Sequence, residues 1–254
     1  PAALRPRRRE NDTYGKKRMD TIEIRGVEIG GLRLDMPSEQ QLSALAQAWD
    51  DDANHQLCFL DTGAFLLARC PGEYSSMIRS ADLVLSKSGG LSARVAKEVS
   101  GILASGKSLP VRKVTIGIRR REYLGYFGPP EESKEVTIRY KPVSVLSIIL
   151  SALEERRGSV FLIGGTETCL AKAEGNLRAT FPALRIVGRS GGSFVGKESL
   201  VLQALQKASP DLVLIGSMVK DGELWIPRTM RSTRSGIFLY ESSIIETLAG
   251  PGGK

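Results

Sequence analysis

The chain is poor in the side chains that most metal and nucleophile chemistry uses. Its 254 residues contain one histidine and three cysteines. The lone His55 sits in the polar stretch Asp50-Asp51-Asp52-Ala53-Asn54-His55, which argues against a histidine-based triad or a zinc cage. Cys58, Cys70 and Cys169 are odd in number and lack metal-ligand spacing, so reduced thiols in a cytoplasmic protein are the expectation, with no metal site. No apolar run approaches the ~20 residues of a membrane span, and the N-terminal stretch has no signal-peptide apolar segment. The dinucleotide fingerprint G-x-G-x-x-G is missing. The phosphate loop G-x-x-x-x-G-K-[ST] is missing too, because Gly188 to Lys197 offers glycines and a lysine at the wrong spacing.

Charge is unevenly placed. Residues 1–20 hold seven Lys/Arg against three acids, and residues 111–141 hold eight against four. Each stretch is net +4, which accounts for the whole formal charge of +8 and leaves the rest balanced. A neutral body with two basic attachments points to an anionic partner: lipid headgroups, nucleic acid or a phosphorylated substrate. No recognisable nucleic-acid reading module accompanies the charge, so nucleic acid is the weakest of the three. Arg7-Arg8-Arg9 also reads as a solvated, disordered tail, here assigned to residues 1–20, with 251–254 as a short second tail.

The pattern along the chain is that of repeated βα units. Thr21 to Ile29 alternates with period two, as a half-buried hairpin or edge strand does. Ser38-Glu39-Gln40-Gln41 forms a capping box before a helix through Leu42, Leu45, Ala46 and Trp49. Strands are expected at Gln56–Leu60, Ala81–Leu85, Val160–Ile163, Leu184–Gly188, Leu212–Gly216 and Ile237–Tyr240, with helices between them. Val160-Phe161-Leu162-Ile163 runs without alternation, as a strand buried on both faces does; Gly164-Gly165 and a Thr166 N-cap follow. Such a strand, glycine turn and helix start can hold an anion on free N–H groups, or can be an ordinary turn. The implied fold is α/β: a doubly wound, mainly parallel, Rossmann-like sheet in one domain over residues 21–250, with ligands at the carboxyl ends of the strands.

Residues 107–141 break this rhythm. Val114, Ile116 and Ile118 alternate with polar residues or glycine, as do Val136, Ile138 and Tyr140. The expectation is an inserted basic β-ribbon with an Arg/Tyr tip at 119–130, offering a contact for a second copy, another protein or an anionic membrane surface.

In order and spacing, V-F-L-I-G-G, F-P-A-L-R-I-V-G, G-G-S-F, D-L-V-L-I-G and E-L-W-I resemble the WecG/TagA/CpsF family of glycosyltransferases. The stretch from Phe65 to Gly90 (F-L-L-A-R…A-D-L-V-L-x-x-x-x-G) is similar to the family's segment before its catalytic loop. The resemblance covers residues 21–106 and 139–250. It implies transfer of an N-acetylmannosamine-type sugar from UDP to a polyprenyl-diphosphate-linked acceptor at the inner membrane face, with UDP-sugar as substrate and no cofactor. It also implies sites at the matching positions, where this chain departs from the pattern. Lys87 replaces the aspartate of Pro-Asp-Gly, and Asp61 ends the element that matches Thr-Pro-Asn. Arg139 keeps the family's arginine. Glu223 and Trp225 remain from P-K-Q-E-K-W-I, while its glutamine is lost; Lys220 stands nearby as another cation.

The candidate catalytic residues are therefore Asp61, Lys87 and Arg139. The candidate donor-binding residues are Gly164, Gly165, Thr166, Gly191, Gly192, Gly216, Glu223 and Trp225. Each has a structural alternative: an Asx turn for Asp61, a solvent-facing ribbon residue for Arg139, a core cap for Trp225. A lysine at its ordinary pKa is protonated near neutrality and takes no proton from an acceptor hydroxyl. Two readings follow. One is a divergent transferase; the other is a non-catalytic relative that binds or assembles through its tail and ribbon.

Overall fold

A computed structural model describes residues 18–118, 137–194 and 196–250. Its centre is a six-stranded, all-parallel sheet whose strands are mostly apolar on both faces, the edge strand β7 excepted. In chain order these are β3 (Asn54–Leu60), β4 (Leu83–Ser86), β6 (Ser159–Ile163), β7 (Arg185–Ser190), β8 (Leu212–Ile215) and β9 (Gly236–Tyr240). Their spatial order is β4-β3-β9-β8-β6-β7. A separate three-stranded antiparallel sheet, β2 (Leu32–Asp35), β1 (Arg18–Ile29) and β5 (Val111–Ile118), stands beside β4, where Asp35 accepts the Val84 N–H at 3.1 Å.

The alternation of side chains along each strand sorts the core into layers. Leu57, Phe59, Leu83, Leu85, Val160, Leu162, Leu212, Leu214, Ile237 and Leu239 face one way. They pack on helices α1 (Glu39–Ala48), α5 (Pro142–Glu155), α6 (Glu167–Thr180) and α9 (Ile244–Ala249). On the other face, Cys58, Leu60 and Val84 meet α2 (Thr62–Ala68), α3 (Glu73–Ser80) and α4 (Gly89–Ala104). Farther along that face, Phe161, Ile163, Val213, Ile215 and Phe238 meet α7 (Glu198–Ala208) and α8 (Gly222–Thr229). The result is the expected doubly wound, Rossmann-like α/β arrangement. The capping box forms as read: the Ser38 hydroxyl accepts from Gln41 N–H, and the Gln41 side chain accepts from Ser38 N–H.

The basic insertion is built differently from the expectation in its described parts. The first arm, β5, pairs antiparallel with β1, from Arg18 opposite Ile118 to Arg25 opposite Val111. Residues 137–140 form no strand; Tyr140 N–H instead donates to the Ser86 carbonyl at 2.9 Å, at the end of β4. β1 supplies a longer partner than residues 137–140 could, and Tyr140 is buried with its hydroxyl on the Pro37 and Thr137 carbonyls. The tip at 119–130, the tail to residue 17 and residues 251–254 lie outside the described residues. Arg18 to Asp20, placed with the tail by sequence, belong to β1.

Candidate functional site

Two topological switches converge on the carboxyl edge of the parallel sheet. From β3 the chain leaves outward to β4; from the adjacent β9 it leaves the other way, into α9, which packs on α6. Likewise β6 leads outward to β7, while its neighbour β8 leads back to β9. Crevices open where neighbouring connections diverge, and ligands of such sheets bind there.

The first crevice collects charge. Asp61 directly follows β3 and Lys87 directly follows β4, and the pairing of Leu60 with Ser86 sets them side by side. Lys87 N–H donates to the Leu60 carbonyl at 2.8 Å. Its ammonium donates to Glu241 Oε2 at 2.8 Å, and Glu241, the residue after β9, is 7% exposed. Arg139 reaches over from the described end of the insertion, its Nε donating to the Lys87 carbonyl at 3.3 Å. Asp61 caps α2, with Oδ1 accepting Ala64 N–H at 2.8 Å, so the Asx role read from sequence is present. Ser88 caps α4, and its hydroxyl meets that of Thr62 at 3.1 Å.

Glu223 enters the same crevice from α8. Burial holds its carboxyl above the usual carboxylate range; the neighbouring Tyr74 hydroxyl and Lys87 ammonium pull it down, while Asp61 and Glu241 push it further up. The Tyr74 hydroxyl is buried outside full hydrogen-bonding geometry. A small cleft beneath is lined by Gln56, Cys58, Glu223, Ile226 and Tyr240, and the Gln56 amide nitrogen has no hydrogen-bond partner among the described residues. Burial, with the Glu223 charge nearby, pushes the Cys58 thiol and the Tyr74 and Tyr240 hydroxyls upward, so all three stay neutral at physiological pH. The Glu73 carboxylate holds the Arg228 guanidinium through two hydrogen bonds of 2.7 and 2.6 Å, clasping α3 to α8.

The glycines gather at the second crevice and are knitted to one another. Gly164 N–H donates to Ser190, Gly165 to Ser217, Gly192 to Gly165 and Gly216 to Ile163, at 2.8 to 3.2 Å. Gly164 has φ +110°, and a Cβ there would lie 2.7 Å from the Ser217 carbonyl oxygen. A Cβ on Gly192 would meet the same oxygen at 2.6 Å. These glycines are required because three loops cross at backbone contact, and their N–H groups are already spent on carbonyls. Thr166 caps α6 on Cys169 N–H as read. Gly191 lies against Glu167, where a Cβ would come 3.3 Å from its carboxylate. Below, Glu246 accepts the Ser217 hydroxyl through Oε1, and its Oε2 is buried without a hydrogen-bond partner among the described residues.

The sequence-derived set thus divides. Asp61, Lys87, Arg139 and Glu223 come together; Gly164, Gly165, Thr166, Gly191, Gly192 and Gly216 form a second group across β9 and β8. Trp225 joins neither, buried edge-on to Phe194 with centroids 5.8 Å apart. Glu241, Tyr74 and Glu246 were missed. The signal for Glu241 was available, since it follows a buried strand just as Asp61 does; Tyr74 and Glu246, on helices, carried none.

A sequence model of the glycosyl transferase WecG/TagA/CpsF family matches residues 133–251. Residues 133–251 of this chain are similar to that family. The family segment therefore supplies Arg139, both glycine crossings, Glu223, Glu241 and Glu246, while Asp61, Tyr74 and Lys87 come from the part before it. No curated protein matches the chain. Among the described residues no helix is long and apolar enough to cross a membrane, and no cluster of His, Cys, Asp and Glu is arranged to hold a metal ion.

Proposed function

We propose that this glycosyltransferase-family chain transfers an N-acetylhexosamine from a UDP-sugar to a polyprenyl-diphosphate-linked acceptor, at the inner face of the membrane. The observation that carries the reading is the gathering of Arg139, Lys87, Asp61 and Glu223 at the switch point between β3, β4 and β9. In the reaction the acceptor hydroxyl oxygen forms the new bond to the anomeric carbon. The bond from that carbon to the diphosphate oxygen breaks, UDP leaves with the electron pair, and the hydroxyl proton passes to a base.

Lys87 is held by Glu241 and serves as a fixed positive charge, while the exposed Arg139 faces the leaving diphosphate with its guanidinium. Glu223 is the carboxyl suited to take the proton: burial tunes it toward neutrality, and it has no ion pair among the described residues. Asp61, with Oδ1 committed to the cap, orients α2 beside it. Gly164, Gly165, Thr166, Gly191, Gly192 and Gly216 shape the wall against which the uridine would lie, with Trp225 supporting it from the core.

A second reading is favoured by the spent N–H groups of the glycine loops: a non-catalytic relative that binds a partner or a second copy of itself through residues 111–141. Calorimetric titration of the full chain with UDP and UDP-N-acetylhexosamines separates the two. Micromolar binding that Arg139→Ala weakens about tenfold supports the transferase. Absence of binding at millimolar ligand overturns it and leaves the assembly reading.

A further inference from the structure

The helix that Asp61 caps has an outer face that no other described residue covers. Along α2, Phe65 and Ala68 turn inward, and Gly63, Leu66, Leu67 and Cys70 form the opposite stripe, all exposed. Leu66 is 50% and Leu67 56% exposed, side by side one turn from the crevice. A single exposed leucine is ordinary; two adjacent ones set among cations are a different feature. The Arg94 guanidinium stands 5.9 Å over the Phe65 ring; the exposed Arg69 is the C-cap of α2, its side chain against the Gly30 turn, and the exposed Lys97 follows Arg94 by one turn on α4. Beyond them Arg139 covers the first turn of α4, where a Cβ on Gly89 would lie 3.8 Å from its Nη1. Residues 62–72 and 83–97, at the centre of this face, contain no acid; the exposed Glu98 beside Lys97, and Glu73, held by Arg228, mark its border. Apolar residues at the centre, guanidinium and ammonium groups around them and carboxylates only at the border is the chemistry of a surface that seats on anionic headgroups and dips its leucines among the acyl chains.

We infer that the α2 face, centred on Leu66 and Leu67 and ringed by Arg69, Arg94, Lys97 and Arg139, docks on an anionic lipid bilayer and turns the Asp61–Lys87 crevice toward it. The contact does not require the basic tail or the 119–130 tip. Its use, delivering a lipid-linked acceptor to the crevice, rests on the transferase reading; the contact itself does not.

Cys70 provides the probe, because it lies on the stripe and is the exposed cysteine, Cys58 and Cys169 being buried. The full chain, labelled at Cys70 with an environment-sensitive fluorophore, is mixed with phosphatidylcholine vesicles with or without a quarter phosphatidylglycerol. Emission should shift to the blue and brighten with the anionic vesicles alone, and the change should shrink in 0.5 M salt. In co-sedimentation of unlabelled protein, Leu66→Asp/Leu67→Asp should lose at least about tenfold in vesicle affinity, with Leu66→Ala/Leu67→Ala in between and unchanged melting temperatures. Arg69→Gln/Arg94→Gln should lose about tenfold on anionic vesicles. Unaltered vesicle binding by the leucine variants overturns the inference, as does a silent Cys70 probe. A probe that responds to protein concentration without vesicles also overturns it, and assigns the face to a second copy. UDP titration of the same proteins keeps the two questions apart: UDP binding without vesicle binding sinks the docking face alone, and the converse sinks the donor site alone.

Discussion

The two crevices at the carboxyl edge of one sheet are built on opposite plans. Around β6 and β8 the edge is backbone: glycines at loop crossings, the N–H groups of Gly164, Gly165, Gly192 and Gly216 matched to carbonyls, with Glu246 beneath. Around β3, β4 and β9 it is side chain: Asp61, Lys87, Glu241 and Glu223, with Tyr74 over them. A glycine-rich loop at a strand end is therefore an ambiguous feature. It brings N–H groups to the right place for an anion, but close packing of loops uses the same residues for a different reason.

The comparison breaks most sharply at Gly164. Alanine there needs an unfavourable left-handed φ and drives Cβ into the Ser217 carbonyl, and should cost about 3 kcal/mol or more in urea unfolding. A loss under 1 kcal/mol would show that the loops yield and are not fixed by contact. At the other crevice, Lys87→Met leaves the buried Glu241 carboxylate unpaired and should cost about 2–3 kcal/mol, less than a fully buried pair because the lysine is partly exposed. Adding Glu241→Gln should recover most of that loss. The same argument warns that Lys87→Asp places a third acid beside Asp61 and Glu241 and needs Glu241→Gln to fold well.

Glu223 sharpens the comparison through pH. Its folded pKa lies above the unfolded value, so the folded protein holds the proton more tightly and Glu223 costs little in acid. As pH rises through the folded value, stability is lost. Glu223→Gln should therefore melt at higher temperature than the parent at pH 8, with the gap closing toward pH 4, an effect smaller than the two above. The reverse order would mean that Glu223 is stabilised as an anion. Smallest is Gly101→Ala in α4, where a Cβ meets nothing within 4 Å and helix propensity should add about 0.5–1 kcal/mol. That gain, set against the loss at Gly164, separates a glycine kept for contact from one that is not.

His55, at the opposite end of β3, shows that an unpromising residue need not be idle. It stacks on Trp49 with centroids 4.6 Å apart, and its Nε2 meets Asp51 at 3.0 Å and its Nδ1 Asp82 at 3.4 Å. Burial lowers its pKa, but the two carboxylates outweigh burial and the net shift is upward. Its contribution to stability is full below the ordinary histidine pKa and is lost as pH rises through the raised one.

The sequence by itself determined the strands of the parallel sheet, their order along the chain and the Ser38 and Thr166 helix caps, because continuous apolar runs, capping boxes and glycine breaks act over a few residues. It also named Asp61 and Lys87 as candidates, but the pairing of β3 with β4 is what sets them side by side. It left open whether Asp61 caps a helix and whether the glycine N–H groups are free, and it read the two arms of the basic insertion as one ribbon, where the first arm in fact pairs with β1. Tertiary structure decided these: β5 joins β1, Glu241 takes Lys87, and three loops use up one another's hydrogen bonds. All three are contacts between segments far apart in the chain, and no local pattern encodes which distant partner satisfies a charge or an N–H group.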